Sequence, residues 1–79
     1  MRNCVVAVDV GTGSARAGVL DREGQLLGRA ETPIRMNRPA ADFAEQDSEN
    51  IWHAVCASVR TAVERAGVAP QDVVGISFD

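Results

Sequence analysis

The 79-residue sequence contains no lysine; all eight of its basic side chains are arginines, scattered rather than clustered. Without lysine there is no Gly-Lys-Ser/Thr, so a Walker-type phosphate loop is excluded. Scattered arginine and a formal net charge of -3 argue against a dedicated nucleic-acid binder, which needs a clustered basic face to neutralise phosphates. Histidine occurs once and cysteine twice, with no Cys-x-x-Cys pair, which removes the usual zinc-site spacings. Cys4 and Cys56 fall on apolar faces of predicted elements and are read as reduced core thiols. Long apolar runs are missing too. Cys4-Val5-Val6-Ala7-Val8 is five residues long and stops at Asp9. A secretory signal core needs about 7–15 apolar residues and a membrane span about 20. The expectation is a cytosolic (cytoplasmic) protein with neither nucleic acid nor membrane as partner.

What is present is a globular composition, with 46% hydrophobic residues. A chain of this length buries only about 60% of its unfolded surface, which allows one small core. No internal repeat, low-complexity tract or linker interrupts it. Residues 3–8 form a continuous β-branched, apolar run that predicts a strand buried on both faces. Glycines then break the pattern at 9–13. Residues 14–20 alternate, with Ala15, Ala17 and Val19 on one side and Ser14, Arg16 and Leu20 on the other, which predicts a second strand. Asp21-Arg22-Glu23-Gly24 suits a type I turn, and 25–32 predict a third strand. The first third of the chain therefore reads as an antiparallel meander.

Residues 33–47 hold Pro33 and Pro39 and little periodicity, and predict a loop. Asp47 or Ser48 suits the N-cap of a helix running to about Ala66. Ile51, Val55, Val59 and Val63 recur every four residues, with Trp52, Cys56, Ala62 and Ala66 widening the stripe. Trp52 is expected to anchor this helix on the sheet; His53 falls on the polar face. Gly67 supplies the left-handed C′ position and Pro70 lies just beyond. Residues 73–78 predict a fourth strand. A helix between two apolar strands implies a crossover that sets strand four parallel to strand one. The fold class is α/β: a three-stranded antiparallel meander, a crossover helix, and a fourth strand parallel to the first. Asp79 stands at the carboxyl end of that strand, where ligand sites in such sheets lie. The free edge of strand four invites association with another chain.

The chemistry concentrates in Asp9-Val10-Gly11-Thr12-Gly13-Ser14-Ala15-Arg16. An acid closing an apolar strand needs a charged or metal partner. Gly11 and Gly13 lack Cβ atoms and let backbone N–H groups converge on a phosphate. Thr12 and Ser14 add hydroxyls and Arg16 a fixed positive charge. Because an acid beside a phosphate cradle repels its ligand, Asp9 implies a Mg²⁺ ion between them. A plain tight hairpin with polar turn residues is the alternative. The dinucleotide fingerprint fails, since Arg16 stands three places after Gly13 where it needs glycine. Glu45-Gln46-Asp47 is read as a loop and cap rather than a catalytic pair.

Asp-x-Gly-Thr-x-Ser-x-Arg in a first β-hairpin resembles the phosphate loop of FGGY carbohydrate kinases. Asp42-Phe43-Ala44-Glu45-Gln46-Asp47 with Ile51-Trp52 resembles the family's segment before its first long helix. Gly75-Ile76-Ser77-Phe78-Asp79 resembles its strand leading to the sugar site. Together these pieces look closest to the D-ribulose kinase branch. The resemblance implies part of a ribonuclease-H-like (actin-like ATPase) lobe, with residues 1–79 as the truncated N-terminal part of the family's N-terminal domain. It implies ATP and Mg²⁺ as cofactors, a small sugar as substrate, and the remainder of the chain and a homo-oligomer as partners. On these positions Asp9 matches the Mg²⁺-associated aspartate, and Gly11, Thr12, Gly13, Ser14 and Arg16 match the loop around the terminal phosphates. Asp79 matches the edge of the sugar pocket. Gly13 stands where glycerol kinases carry a second threonine. The family's catalytic base lies downstream, so no catalytic residue is expected here and the segment by itself is expected to be inactive. Phosphorylation of D-ribulose is the implied activity. Xylulose, L-ribulose or glycerol as substrate, or a non-catalytic actin-like nucleotide-binding protein, are the alternatives.

Overall fold

The computed structural model describes residues 3–34 and 48–79. Strands β1 (Cys4–Val10), β2 (Ser14–Leu20) and β3 (Leu26–Pro33) are followed by helix α1 (Ser48–Ala66), a short 3₁₀ turn at Pro70–Asp72 and strand β4 (Val73–Phe78). The four strands form one sheet in the order β3-β2-β1-β4. β1 pairs antiparallel with β2, β2 antiparallel with β3, and β1 parallel with β4. The expected meander, crossover and parallel fourth strand are all present. The loop expected at 33–47 falls outside the described residues from 35 onward, as does the Asp47 cap.

Local chemistry explains where the chain turns. The Asp21 carboxylate accepts from the N–H groups of Glu23 and Gln25, both at 2.9 Å. The Gly24 N–H closes the turn onto the Asp21 carbonyl at 3.0 Å. At the end of α1, Gly67 takes φ +71°, and its N–H reaches the carbonyls of Val63 and Glu64 at 3.2 and 3.1 Å. That is the left-handed stop the sequence called for, at a position where a Cβ would be strained.

The core is a single layer between the sheet and α1. Cys4, Val6 and Val8 of β1, Ala15, Ala17 and Val19 of β2, and Ala54, Val55 and Ala62 of α1 are all buried. Each fully buried valine contributes about 1.5 kcal/mol or more. The helix lies mainly over β2 and β3, and its contact line is made of small residues. A Cβ on Gly28 of β3 would lie 2.5 Å from the Ala66 nitrogen and 2.7 Å from the Ala62 oxygen. Glycine there lets helix and strand backbones touch. In the middle of this seam the buried Ser58 hydroxyl bridges the Ala15 carbonyl at 3.1 Å and the Thr32 hydroxyl at 2.7 Å.

Two expectations are corrected. β1 is not buried on both faces: its residues alternate, with Val5 and Ala7 exposed, because α1 covers only one side of the sheet among the described residues. Trp52 does not anchor the helix. It is 61% exposed. Since α1 sits over β2 and β3, its flank toward β4 overhangs, and Trp52 borders an open groove with Cys56, Ile76 and Phe78. That groove adjoins a trough of about 710 Å³ between α1 and β4, lined by Val59, Val63, Val68 and Ile76 among others. His53 is exposed, as expected.

Candidate functional site

The hairpin joining β1 to β2 sits at the carboxyl end of β1 and is fastened on three sides. Within it, the Gly11 N–H donates to the Ser14 carbonyl at 2.9 Å. On the β3 side the Ile34 N–H donates to the Gly13 carbonyl at 3.0 Å. On the β4 side the Asp79 N–H donates to the Val8 carbonyl at 2.8 Å, and the Val10 N–H to the Asp79 carbonyl at 3.3 Å. Sheet hydrogen bonds thus bring Asp79, at the end of the chain, beside the strand that carries Asp9.

Side chains on the face away from α1 make a polar row across three strands. Asp9 of β1 is directly opposite Arg16 of β2, and Arg16 is directly opposite Glu31 of β3. The Arg16 guanidinium pairs with the Asp9 carboxylate at 2.5 Å, with both side chains about half exposed. The charged partner that a strand-ending acid requires is therefore in place without any other group. The Ser14 hydroxyl donates to the Glu31 carboxylate at 2.7 Å. Behind this row, Ser58 on α1 holds the Ala15 carbonyl, so the helix grips β2 one residue beyond the turn.

Neither glycine of the turn is demanded by the protein's own packing. A Cβ on Gly13 would meet nothing within 4 Å, and one on Gly11 would make only ordinary contacts at 3.5 and 3.6 Å. Neither takes a positive φ. At Gly13 the missing side chain leaves bare backbone facing open space, which is the form of a surface that a phosphate approaches closely, whereas Gly11 lies against the Arg16 guanidinium and the Ser14 carbonyl. Among the described residues no group of three or more His, Cys, Asp or Glu side chains is placed to hold a metal ion. A Mg²⁺ ion would thus draw on Asp9 alone or through water, with the phosphates supplying further oxygens. This fits an ion that keeps much of its water shell.

All the residues singled out in the sequence, Asp9, Gly11, Thr12, Gly13, Ser14, Arg16 and Asp79, lie at this one end of the sheet. Sequence reading passed over Glu31 and Ser58. For the first, the turn at 21–24 alone would set Ala30 across from Arg16; an irregularity between Val19 and Leu20 shifts the register by one residue and brings Glu31 there, which no local sequence signal announces. For the second the signal was the spacing Ala54, Ser58, Ala62, a line of small residues at one-turn intervals.

Comparison with known proteins places the family and the fold. The chain is 54% identical over 74 residues to a D-ribulokinase of Saccharomyces cerevisiae, covering 94% of this chain and 10% of that protein. A human FGGY carbohydrate kinase domain-containing protein is 42% identical over 74 residues, covering 94% and 13%. A glycerol kinase of Agrobacterium fabrum is 34% identical over 78 residues, covering 99% and 16%. The chain thus spans between a tenth and a sixth of the length of these relatives. Among solved structures, a ROK family glucokinase from Streptomyces griseus, in complex with glucose and AMPPNP, superposes with a TM-score of 0.67 at 26% identity. That match covers 96% of this chain and 20% of the glucokinase chain. The mixed sheet with its crossover helix is accordingly part of a sugar-kinase lobe of the actin-like ATPase fold. No helix among the described residues is long and apolar enough to cross a membrane. With the model of the FGGY N-terminal domain matching residues 4–79, the chain belongs to the FGGY family of carbohydrate kinases.

Proposed function

We propose that the full-length protein is an ATP-dependent carbohydrate kinase that phosphorylates a hydroxyl of D-ribulose, and that this segment supplies its phosphate-binding hairpin. The observation that carries the reading is the juxtaposition at one sheet end. There the Gly11–Gly13 turn, the Ser14 hydroxyl and the Asp9–Arg16 pair lie together, with open space beside Gly13. Backbone N–H groups of the turn and the Arg16 guanidinium are suited to orient the terminal phosphates. Asp9 would hold Mg²⁺, which supplies neutralisation of phosphate charge when bound. Arg16 already occupies Asp9, so ligand entry requires that pair to open. Positioning and electrostatics of this kind carry most of phosphoryl-transfer catalysis. Asp79, set beside β1, is the proposed edge of the sugar pocket, and the base that accepts the hydroxyl proton would come from the remainder of the chain. The two free cysteines suit a reducing, cytoplasmic compartment.

Similarity to a D-ribulokinase at 54% identity supports D-ribulose. Glycerol is the second reading, because glycerol kinases match at 34–36% identity. Coupled ADP-release kinetics of the full-length protein with D-ribulose, xylulose, L-ribulose and glycerol decide between them. D-ribulose is expected to give the highest kcat/KM. Asp9→Asn is expected to lower kcat by about a hundredfold or more, the scale of losing one electrostatic group, with sugar KM little changed. Turnover by Asp9→Asn at the wild-type rate would refute the proposed role of the acid.

A further inference from the structure

We infer that Glu31 is a specificity-determining residue of this hairpin: it makes the loop accept a nucleotide polyphosphate only when that polyphosphate carries a divalent cation. The inference deepens the kinase reading and rests on it. Two observations carry it. The first is the direction of a hydrogen bond. Ser14 Oγ lies 2.7 Å from Glu31 Oε2, and an ionised carboxylate has no proton to give, so the serine donates. A hydroxyl has a single proton. While it is held by Glu31, Ser14 presents only lone pairs to the turn. Lone pairs repel phosphate oxygens and accept from the water shell of a cation. Ser14 therefore acts as an acceptor toward whatever occupies the turn, not as the phosphate donor its residue type suggests.

The second observation is the cross-strand register. Arg16 stands directly between Asp9 on β1 and Glu31 on β3, and its guanidinium is committed to Asp9. Arg29 lines the same hollow as Asp9 and Arg16, so the two acids of this face are balanced by two arginines, and the charge that bears on the turn is the Glu31 carboxylate held against Ser14. Bare triphosphate meets like charge there, whereas the metal complex carries less negative charge and offers water that Ser14 can accept from. Glu31 is exposed and glutamine has its shape, so its charge is separable from its packing.

The test is calorimetric binding of a non-hydrolysable ATP analogue to the full-length protein, with saturating Mg²⁺ and with a chelator. Wild type is expected to bind the metal-free analogue more weakly than the complex. Glu31→Gln removes the charge, and its amide can either accept from Ser14 or donate to it, so the hydroxyl proton is no longer held by a carboxylate and can turn toward the ligand. Its metal-free Kd is expected to tighten about fivefold, the scale of one solvated like charge, with the Mg²⁺-complex Kd little changed. Adding Ser14→Ala to Glu31→Gln is expected to return part of that gain. Glu31→Asp, which keeps the charge, is expected to retain the wild-type preference. An unchanged ratio of the two Kd values in Glu31→Gln, or an equal shift in Glu31→Asp, would overturn the inference while leaving the kinase reading intact. Failure of the wild-type protein to bind the analogue at all would remove both.

Discussion

A methyl group added at Gly28 would sit 2.5 Å from the Ala66 nitrogen, 2.7 Å from the Ala62 oxygen and 2.9 Å from the Ala66 Cα. All three are helix backbone atoms, so no side-chain rotation relieves the clash. Carbon atoms in comfortable contact lie about 3.5–4.0 Å apart, so Gly28→Ala must push α1 away from β3 by roughly 1 Å. That displacement stretches both Ser58 hydrogen bonds, now 3.1 and 2.7 Å, and loosens Ala54 and Ala62 on the sheet. Overpacking of this kind costs about 1–3 kcal/mol, and the rigid neighbours place Gly28→Ala toward the upper end. For a domain of this size total stability is only about 4–12 kcal/mol. Urea unfolding of the 79-residue chain, followed by far-ultraviolet circular dichroism, reads α1 directly. With a denaturant slope of about 1 kcal/mol per molar, the midpoint is expected to fall by about 2–3 M, or the variant to be unfolded at the outset. An unchanged midpoint would mean that α1 does not rest on Gly28, and the packing described above would be wrong.

Ser58→Ala removes the bridge between α1 and the strands behind the hairpin; it is expected to destabilise by about 1–3 kcal/mol in the same assay. Gly13→Ala, by contrast, adds a methyl where nothing lies within 4 Å, so the unfolding midpoint is expected to stay put. The same methyl should weaken nucleotide binding to the full-length protein about tenfold, or ~1.4 kcal/mol, as read by calorimetry. Trp52→Ser is expected to cost the isolated chain less than about 1 kcal/mol, against about 3–5 for truncating a buried tryptophan; a loss in the larger range would show that Trp52 is packed after all.

Much of this architecture was legible because local signals and global pattern agreed. Alternation placed Ala15, Ala17 and Val19 inward, Gly67 marked the helix end, and an apolar strand after a helix implied parallel pairing with β1. The candidate site stands out in the sequence by contrast: a lone acid, two glycines and two hydroxyls interrupt an otherwise apolar stretch. Errors arose where the answer depended on which neighbours exist. A continuous apolar run reads as doubly buried, but β1 has a helix on one face only, so Val5 and Ala7 lie open. The one-turn stripe in α1 was correct in direction and offset in phase. Its centre is Ala54, Ser58 and Ala62, small residues with weak hydrophobic signal, while the bulkier Trp52 sits on the overhanging flank. Glu31 was missed because its partner, Ser14, is 17 residues away and only sheet register connects them.

The central claim is that nucleotide phosphates sit on the Asp9–Arg16 hairpin. A crystal structure of the full-length protein with Mg²⁺, a non-hydrolysable ATP analogue and D-ribulose tests it most directly. The account predicts the terminal phosphates within hydrogen-bonding distance of backbone N–H groups of Thr12–Ser14, with the Asp9–Arg16 pair opened and Asp9 turned toward the metal or its water. Phosphates bound elsewhere, with the Asp9–Arg16 ion pair closed as it is here, would contradict it.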